Sequence, residues 1–546
     1  MAVFRTNGIP DVGDAAKEDS RWRTENAGGA VVGPCAIIRN QAVRANHANA
    51  EPTGDRQPFI SKSKYLWGLQ CPKLLWHAYN AKHLIPEPDA AQQAVFEQGH
   101  EVGRLAKRLF PDGVEVGGEV LDLDKTVRQT QQALRLRQPL FEAAFEAGGG
   151  YARVDILEPA PRDAWDLTEV KSTTKVKDVH LPDLAFQAWL LVRAGLPIRR
   201  CFLMHINPEF VRRGPIDPKQ FFVRVDLTNQ AAHLAQQVED KLGDFSQLIQ
   251  RSNHPDVGIG AQCDDPYTCP LHEMCWGFLP ENSVLTLHRG AKKGFSLLEG
   301  GITRLKDIPD SASLTDHQET QRRVLRTGQP HIDKPSLQAF LGQLAYPVSY
   351  LDFETFGTAI PLFDALRPYQ QVPFQFSLHI VRSPGAGPEH HQFLVKARAD
   401  PRPEFMHCLR EALPEAGSIV IYNAAFETRR LEECSELLTE YRPWLRRVQK
   451  RVVDLLLPFR AFHYYHPSQA GSASMKAVLP ALTGKGYGHL AIQEGDTASR
   501  EFLRVTFGEV SAEERQRVWN QLEEYCGLDT LGMAQIVQTL QRLAAR

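Results

Sequence analysis

No apolar run in this 546-residue chain approaches the ~20 residues that a membrane-spanning helix needs. The opening stretch, MAVFRTNGIPDVGDAAKEDS, lacks the apolar core of a secretory signal, so a cytoplasmic protein is expected. Charge of one sign is also missing. The 63 Lys and Arg residues stand against 65 Asp and Glu, a net charge of -2 that does not advertise nucleic-acid binding. Enzymes that cut nucleic acid reach such a balance when clustered carboxylates for metals offset the Lys and Arg that hold phosphates. Internal repeats and long low-complexity tracts are absent too, which removes repeat architectures.

What is present is ordinary for a globular protein, with 42% hydrophobic and 23% charged residues. The length is far too great for one core and predicts two large domains with small attachments. Cysteine is odd in number, at nine, and Cys201, Cys408 and Cys526 each sit alone in apolar surroundings. That usage suits a reducing compartment with one metal site better than a disulfide framework.

Residues 1–57 are rich in Gly, Ala, Asn and charge, and are expected to lack fixed structure. Order is expected from PFISKSKYLWGLQCPKLLWHAYN onward, with Ser61 as a helix cap. Further helices are predicted through AVFEQGHEVGRLAKRLFP and from about residue 123 to 147, the latter stopped by the triplet Gly148 to Gly150. YARVDILEP and WDLTEVKST, on either side of a Pro-containing turn, predict a β-hairpin, followed by the apolar helix HLPDLAFQAWLLVRAGL and the strand RCFLMHINP. Another helix is expected over 228–251. Residues 58–285 are thus one domain and 286–346 a connector, in which LLEGGITRLKDIPD carries a turn of helix-hairpin-helix type or a simple linker turn. Residues 347–546 form a second α/β domain, starting at VSYLDFETF and ending in two helices at about 511–526 and 528–544.

Two groups of residues carry chemistry. In the first, Asp155 ends one arm of the expected hairpin while Glu169 and Lys171 stand two apart on the other arm, hence on one face. Two carboxylates bind a divalent cation, and a nearby Lys orients or activates water, as phosphodiester hydrolysis demands. Gln187, a polar residue in an apolar helix, needs a partner. In the second, Asp352 and Glu354 project from one face of an apolar strand, where such a pair is costly unless a cation neutralises it. Glu427 lies on the first turn of a helix after IVIYN, and Tyr525 and Asp529 are four apart on a helix near the chain end.

Four cysteines form a third group. Cys263, Cys269 and Cys275 follow at equal steps in CDDPYTCPLHEMC, with Cys71 far upstream. Thiolates at such spacing suit an iron-sulfur cluster or zinc.

The strand with Asp155, the strand with Glu169 and Lys171 and the helix with Gln187 resemble the PD-(D/E)XK nucleases of the RecB-like branch. The resemblance implies a restriction-endonuclease-like core in which Asp155 and Glu169 are metal ligands, Lys171 is catalytic and Gln187 belongs to a QxxxY motif whose Tyr position is Leu191. The upstream metal-binding His of many relatives has no counterpart at Gly103, and His100 or Glu101 is the nearest candidate. One Cys before the nuclease core and three after it resemble the iron-sulfur members of that branch, which implies a structural 4Fe-4S cluster on Cys71, Cys263, Cys269 and Cys275; the wider spacing of the first two distal cysteines keeps zinc as the alternative. Residues 347–546 resemble the DEDD exonucleases of the ribonuclease-H-like fold whose last motif is YxxxD. That implies a two-metal centre of Asp352, Glu354 and Asp529 with Mg2+ or Mn2+, Tyr525 orienting or deprotonating water, Glu427 where the family has Asp, Asp454 in a structural role and Lys476 near a substrate phosphate.

The expected protein is therefore an α/β chain with two nuclease centres acting on DNA, single-stranded or with free ends, in repair, recombination or defence, with a helicase as a partner class. The rival expectations are a nucleic-acid-binding scaffold with silent centres and an RNA-directed exonuclease.

Overall fold

The computed structural model describes residues 59–117 and 123–545, so the segment expected to lack structure lies outside the described residues. Within them, no helix is long and apolar enough to cross a membrane. The chain is mixed α/β, with one large sheet in each half.

In the first half, α1 (Lys62–Gln70) and α2 (Pro72–Asn80) follow the short strand β1 (Ile60–Ser61), and the Ser61 side chain caps α1 by accepting the Lys64 N–H at 3.4 Å. The helix α3 (Ala90–Lys107) starts from a capping box made by Asp89 and Gln92. The strands β2 (Val114–Glu115), β3 (Leu140–Ala147), β4 (Gly150–Pro159), β5 (Trp165–Lys171), β6 (Ile198–Ile206) and β7 (Phe222–Asp226) lie in that order across the sheet, with β1 beside β4. The expected hairpin is the antiparallel pair β4–β5, with Ile156 opposite Thr168. The helix α5 (His180–Arg193) makes the crossover to β6, which runs parallel to β5.

The helix expected over 123–147 is half strand. A helix α4 (Leu123–Ala133) ends early, and β3 follows. Gly148 and Gly149, both at positive φ, form the tight turn that pairs Ala147 with Gly150, so the glycines join two strands where a helix stop was expected. The Ala-rich segment LFEAAFEA favours helix locally, but its Ala143 and Ala144 are fully buried in the sheet's core and packing overrides propensity. Residues 228–251 likewise split into two helices, Thr228–Ala235 and Val238–Ile249.

The connector is more than a linker. Val284, Leu287, Leu305 and Ile308 bury a small core of their own. Its turn follows one helix, Ala291–Glu299, but the piece beyond is a single 3-10 turn, Leu305–Asp307, so two helices do not flank it. The helix Asp316–Thr327 and the strand β8 (His331–Ile332) lead on to the second half.

There, β9 (Val348–Phe356), β10 (Val372–Val381) and β11 (Pro388–Leu394) are antiparallel neighbours. On its other side β9 runs parallel to β12 (Ile419–Ile421), and β12 runs parallel to β13 (Val452–Asp454), giving the order β11-β10-β9-β12-β13. The short β14 (Tyr464–Tyr465) pairs with β8. The two helices expected at the chain end are one 34-residue helix, Ala512–Ala545. Gly527 costs a helix interior about 1 kcal/mol, too little to break a helix whose Cys526 and Met533 are fully buried. A buried network fixes this helix to the sheet: Thr530 Oγ1 lies 2.6 Å from Ser377 Oγ and 2.7 Å from His379 Nδ1.

The two halves meet through residues 357–371, the β9–β10 connection. Ala359 is buried among Val102, Ile156, Met204 and Phe221 of the first half. Arg212 exchanges backbone hydrogen bonds with this segment, donating to Leu366 O at 3.0 Å and accepting from Ala365 N at 2.9 Å, and its guanidinium donates to Pro361 O at 2.6 Å and Leu362 O at 2.7 Å. The Tyr369 hydroxyl donates to Ser172 O, next to Lys171.

Candidate functional site

In the first half, β4 and β5 place Asp155 beside Glu169, and the Val170 N–H donates to Asp155 Oδ2 at 2.8 Å. Glu169 is 1% exposed and is held on both carboxylate oxygens. Lys171 Nζ at 2.7 Å and Lys62 Nζ at 2.8 Å share Oε1, and Gln187 Nε2 donates to Oε2 at 2.8 Å. A further carboxylate, Asp183, is equally buried and accepts from Lys171 at 2.6 Å and from Gln187 at 2.9 Å. Of the expected quartet, Glu169, Lys171 and Gln187 are thus one hydrogen-bonded group, which Lys62 and Asp183 join, while Asp155 acts on it through charge and is bonded to the Val170 N–H.

Its electrostatics follow from burial and pairing. Burial and the Glu169 charge push Asp155 up to about 7. Burial would raise Glu169 as well, but Lys171 and Lys62 outweigh it and hold Glu169 below its ordinary value. Burial would lower Lys171, and Glu169 and Asp183 outweigh that in turn, keeping it charged. Gln187 Oε1 is buried without a protein partner and is free to accept from a ligand.

His100 does not belong here. It is exposed on α3, outside the hydrogen bonds and ion pairs that join the group among the described residues. Its neighbour Gly99 carries the inward face of that helix, since a Cβ there would lie 4.0 Å from Ser172 Oγ, and consecutive helical residues point about 100° apart. Glu101 is exposed too, beside Arg104 at 4.0 Å.

In the second half, Asp352 and Glu354 on β9 face the C-terminal helix. Asp352, Glu354 and Cys526 each offer a ligand atom within 4.8 Å of the others, the arrangement in the described residues that fits a metal ion most directly. Cys526 is fully buried, with its Sγ 3.9 Å from Asp352 Oδ2. Tyr525 is 4% exposed, and Lys476 Nζ stands 6.0 Å above its ring. Asp529, one turn further on, accepts a hydrogen bond from the Tyr487 hydroxyl. Glu427 is buried, and its Oε2 has no protein partner. Asp454 accepts the N–H groups of Asn423 at 3.0 Å and Leu456 at 2.9 Å, the structural part expected of it.

Asp352, Glu354, Glu427 and Asp529 are all pushed up, in contrast to Glu169. Burial, then Asp529 and Glu354, raise Asp352 well above its ordinary value, and burial and Asp529 do the same to Glu354. Burial pushes Glu427 up to about 8 and Asp529 up to about 6, the latter eased by Tyr487 and Lys476. Burial and the same carboxylates raise Tyr525. A crowd of buried acids with one exposed lysine nearby is the charge pattern that divalent cations relieve.

The four cysteines also converge. Cys71, Cys263, Cys269 and Cys275 line one cavity together with Lys73, Gln262 and His272. Among the described residues no three of these sulfurs lie within 4.8 Å of one another. Arg199 pairs with Asp166, Arg212 holds residues 361 and 362, and Arg451 donates to Pro414 O at 2.7 Å.

Lys62, Asp183, Cys526 and Tyr487 were not expected. Asp183 was within reach of sequence reasoning, because it lies four residues before Gln187 on the same face of an apolar helix. Lys62 and Tyr487 reach their centres from distant segments and leave no local signal.

A domain family described as "Domain of unknown function (DUF2779)" matches residues 349–474. That span begins on β9 with Asp352 and Glu354 and stops before Tyr525 and Asp529. No curated protein matches the chain. A solved structure titled "Crystal structure of SSO0001" is similar at 12% identity over 42% of this chain and 90% of that one, with a TM-score of 0.22.

Proposed function

We propose that this chain is a metal-dependent nuclease that hydrolyses phosphodiester bonds of DNA at two centres, a RecB-like PD-(D/E)XK centre in the first half and a DEDD-type exonuclease centre in the second. The observation that carries this reading is the gathering, in each half, of buried carboxylates at a core strand beside a lysine, with unpartnered polar atoms on Gln187 and Glu427. The order β11-β10-β9-β12-β13, with acids on the central β9, fits a ribonuclease-H-like domain.

Asp155 and Glu169 in the first centre, and Asp352, Glu354 and Asp529 in the second, are the residues that would hold Mg2+ or Mn2+. Bound cations supply positive charge to the phosphate and make water acidic. The chain's own residues do the rest. Lys171 and Gln187 fix the orientation of Glu169. Tyr525, one turn before Asp529 on the same helix, orients or deprotonates the attacking water. Tyr487 fixes Asp529, and Lys476 stands where a substrate phosphate would meet it.

The four cysteines, which line one cavity, are the residues that would hold a 4Fe-4S cluster, with zinc as the alternative. The cluster would clasp the two chain ends of the first half.

Nuclease assays with Mg2+ or Mn2+ on single-stranded DNA, duplex DNA and RNA test the reading, repeated with Lys171→Ala and Asp352→Ala. Each substitution is expected to remove one activity by ~100-fold or more. Equal behaviour of the wild type and both variants refutes the enzyme and leaves a binding scaffold; cleavage of RNA alone reassigns the substrate.

A further inference from the structure

Lys62 opens α1, and its ammonium bonds Glu169 Oε1 at 2.8 Å and lies 3.5 Å from Asp183 Oδ1. It is held there from both ends of its helix. Ser61 caps the start, while at the far end Gln70 Nε2 donates to Gln262 O at 2.8 Å and Tyr267 O at 2.7 Å, and Cys71 follows at once. An ordinary surface lysine has no such fixed seat.

Charge counting separates the two centres. Counted with every acid ionised, as cation binding requires, the first assembles three carboxylates, Asp155, Glu169 and Asp183, against two ammonium groups, Lys62 and Lys171, a formal balance of -1. Counted in the same way, the second assembles four carboxylates, Asp352, Glu354, Glu427 and Asp529, with Lys476, a formal balance of -3 before Asp454, Asp496 and Arg430, which also act on it, are added. One divalent cation already turns the first balance positive, and a second would be repelled by Lys62 and Lys171. The second centre needs two to become positive.

We propose that Lys62 is a positioning residue whose ammonium acts as a built-in positive charge at the first centre, holding Glu169 and Asp183 in place and restricting that centre to one divalent cation. This rests on reading the first centre as cation-dependent. A chain without Lys62 would present Glu169 and Asp183 with one ammonium fewer, a better site for added cation and a worse-ordered one for chemistry.

The test counts bound Mn2+ by electron paramagnetic resonance in the full chain, with the second centre silenced by Asp352→Asn and Asp529→Asn. One Mn2+ is expected at the first centre. Adding Lys62→Met is expected to tighten Mn2+ binding by ~10-fold or more, and to lower kcat on DNA with little change in KM, whereas Lys62→Arg keeps the parent affinity. Lys62→Gln, which retains a donor for Glu169, serves if the Met variant does not fold. Two Mn2+ ions in the parent, or unchanged affinity in the Met or Gln variant, overturns the proposal. A parent that binds one Mn2+, shows the shift and cuts no DNA upholds the charge role of Lys62 and refutes the nuclease reading of the first centre.

Discussion

Glu427→Gln should make the cation-free protein more stable at pH 8, although it removes a candidate catalytic group. Glu427 is 5% exposed, with Oε2 lacking a protein partner, and burial pushes its carboxyl from 4.5 up to about 8. A folded-state value above the unfolded one means that the native protein holds its proton longer than the unfolded chain does. The stabilisation is full below about pH 4.5 and is lost as pH rises through about 8. At 1.36 kcal/mol per unit, ionisation at pH 8 costs the native state about 4 kcal/mol, and under about 1 kcal/mol at pH 5. Glutamine keeps the shape and never ionises. For a unit of this size the difference corresponds to roughly 10 °C in Tm. Thermal melts in EDTA should show the variant well above wild type at pH 8 and close to it at pH 5, with saturating Mn2+ narrowing the pH 8 gap. Equal melting at pH 8, or a gap that persists at pH 5, would show that no buried charge stress exists at this centre.

Two other outcomes follow from the geometry. Arg212→Ala removes charged donors to Pro361 O and Leu362 O, worth about 2 kcal/mol together or more, and should expose residues 357–371 to limited proteolysis; an unchanged cleavage pattern and Tm would refute the idea that this arginine locks the halves. Anaerobically purified protein should be brown, and Cys269→Ala should bleach it. Colourless protein with stoichiometric zinc refutes the cluster.

From the sequence the two domains look chemically independent. With Ala359 buried in the first half's core and Tyr369 bonded to Ser172 O, damage to the first half reaches the β9–β10 connection that leaves the strand bearing Asp352 and Glu354.

Periodicity and residue spacing alone determined much: the β4–β5 hairpin, Glu169 and Lys171 facing one way on β5 as Asp352 and Glu354 do on β9, and the convergence of Tyr525 and Asp529 on one helix face. These are local consequences of two-residue and 3.6-residue repeats, so a sequence displays them. Tertiary packing decided what local chemistry left ambiguous. LFEAAFEA became strand β3 because a sheet edge was there to receive it, and Gly527 stayed helical because buried neighbours hold the helix on both sides. Lys62, Asp183, Tyr487 and Cys526 acquired partners across the fold. Such pairings depend on which segments meet in space, and that meeting is written in the summed packing of the whole chain, not in the residues beside each one.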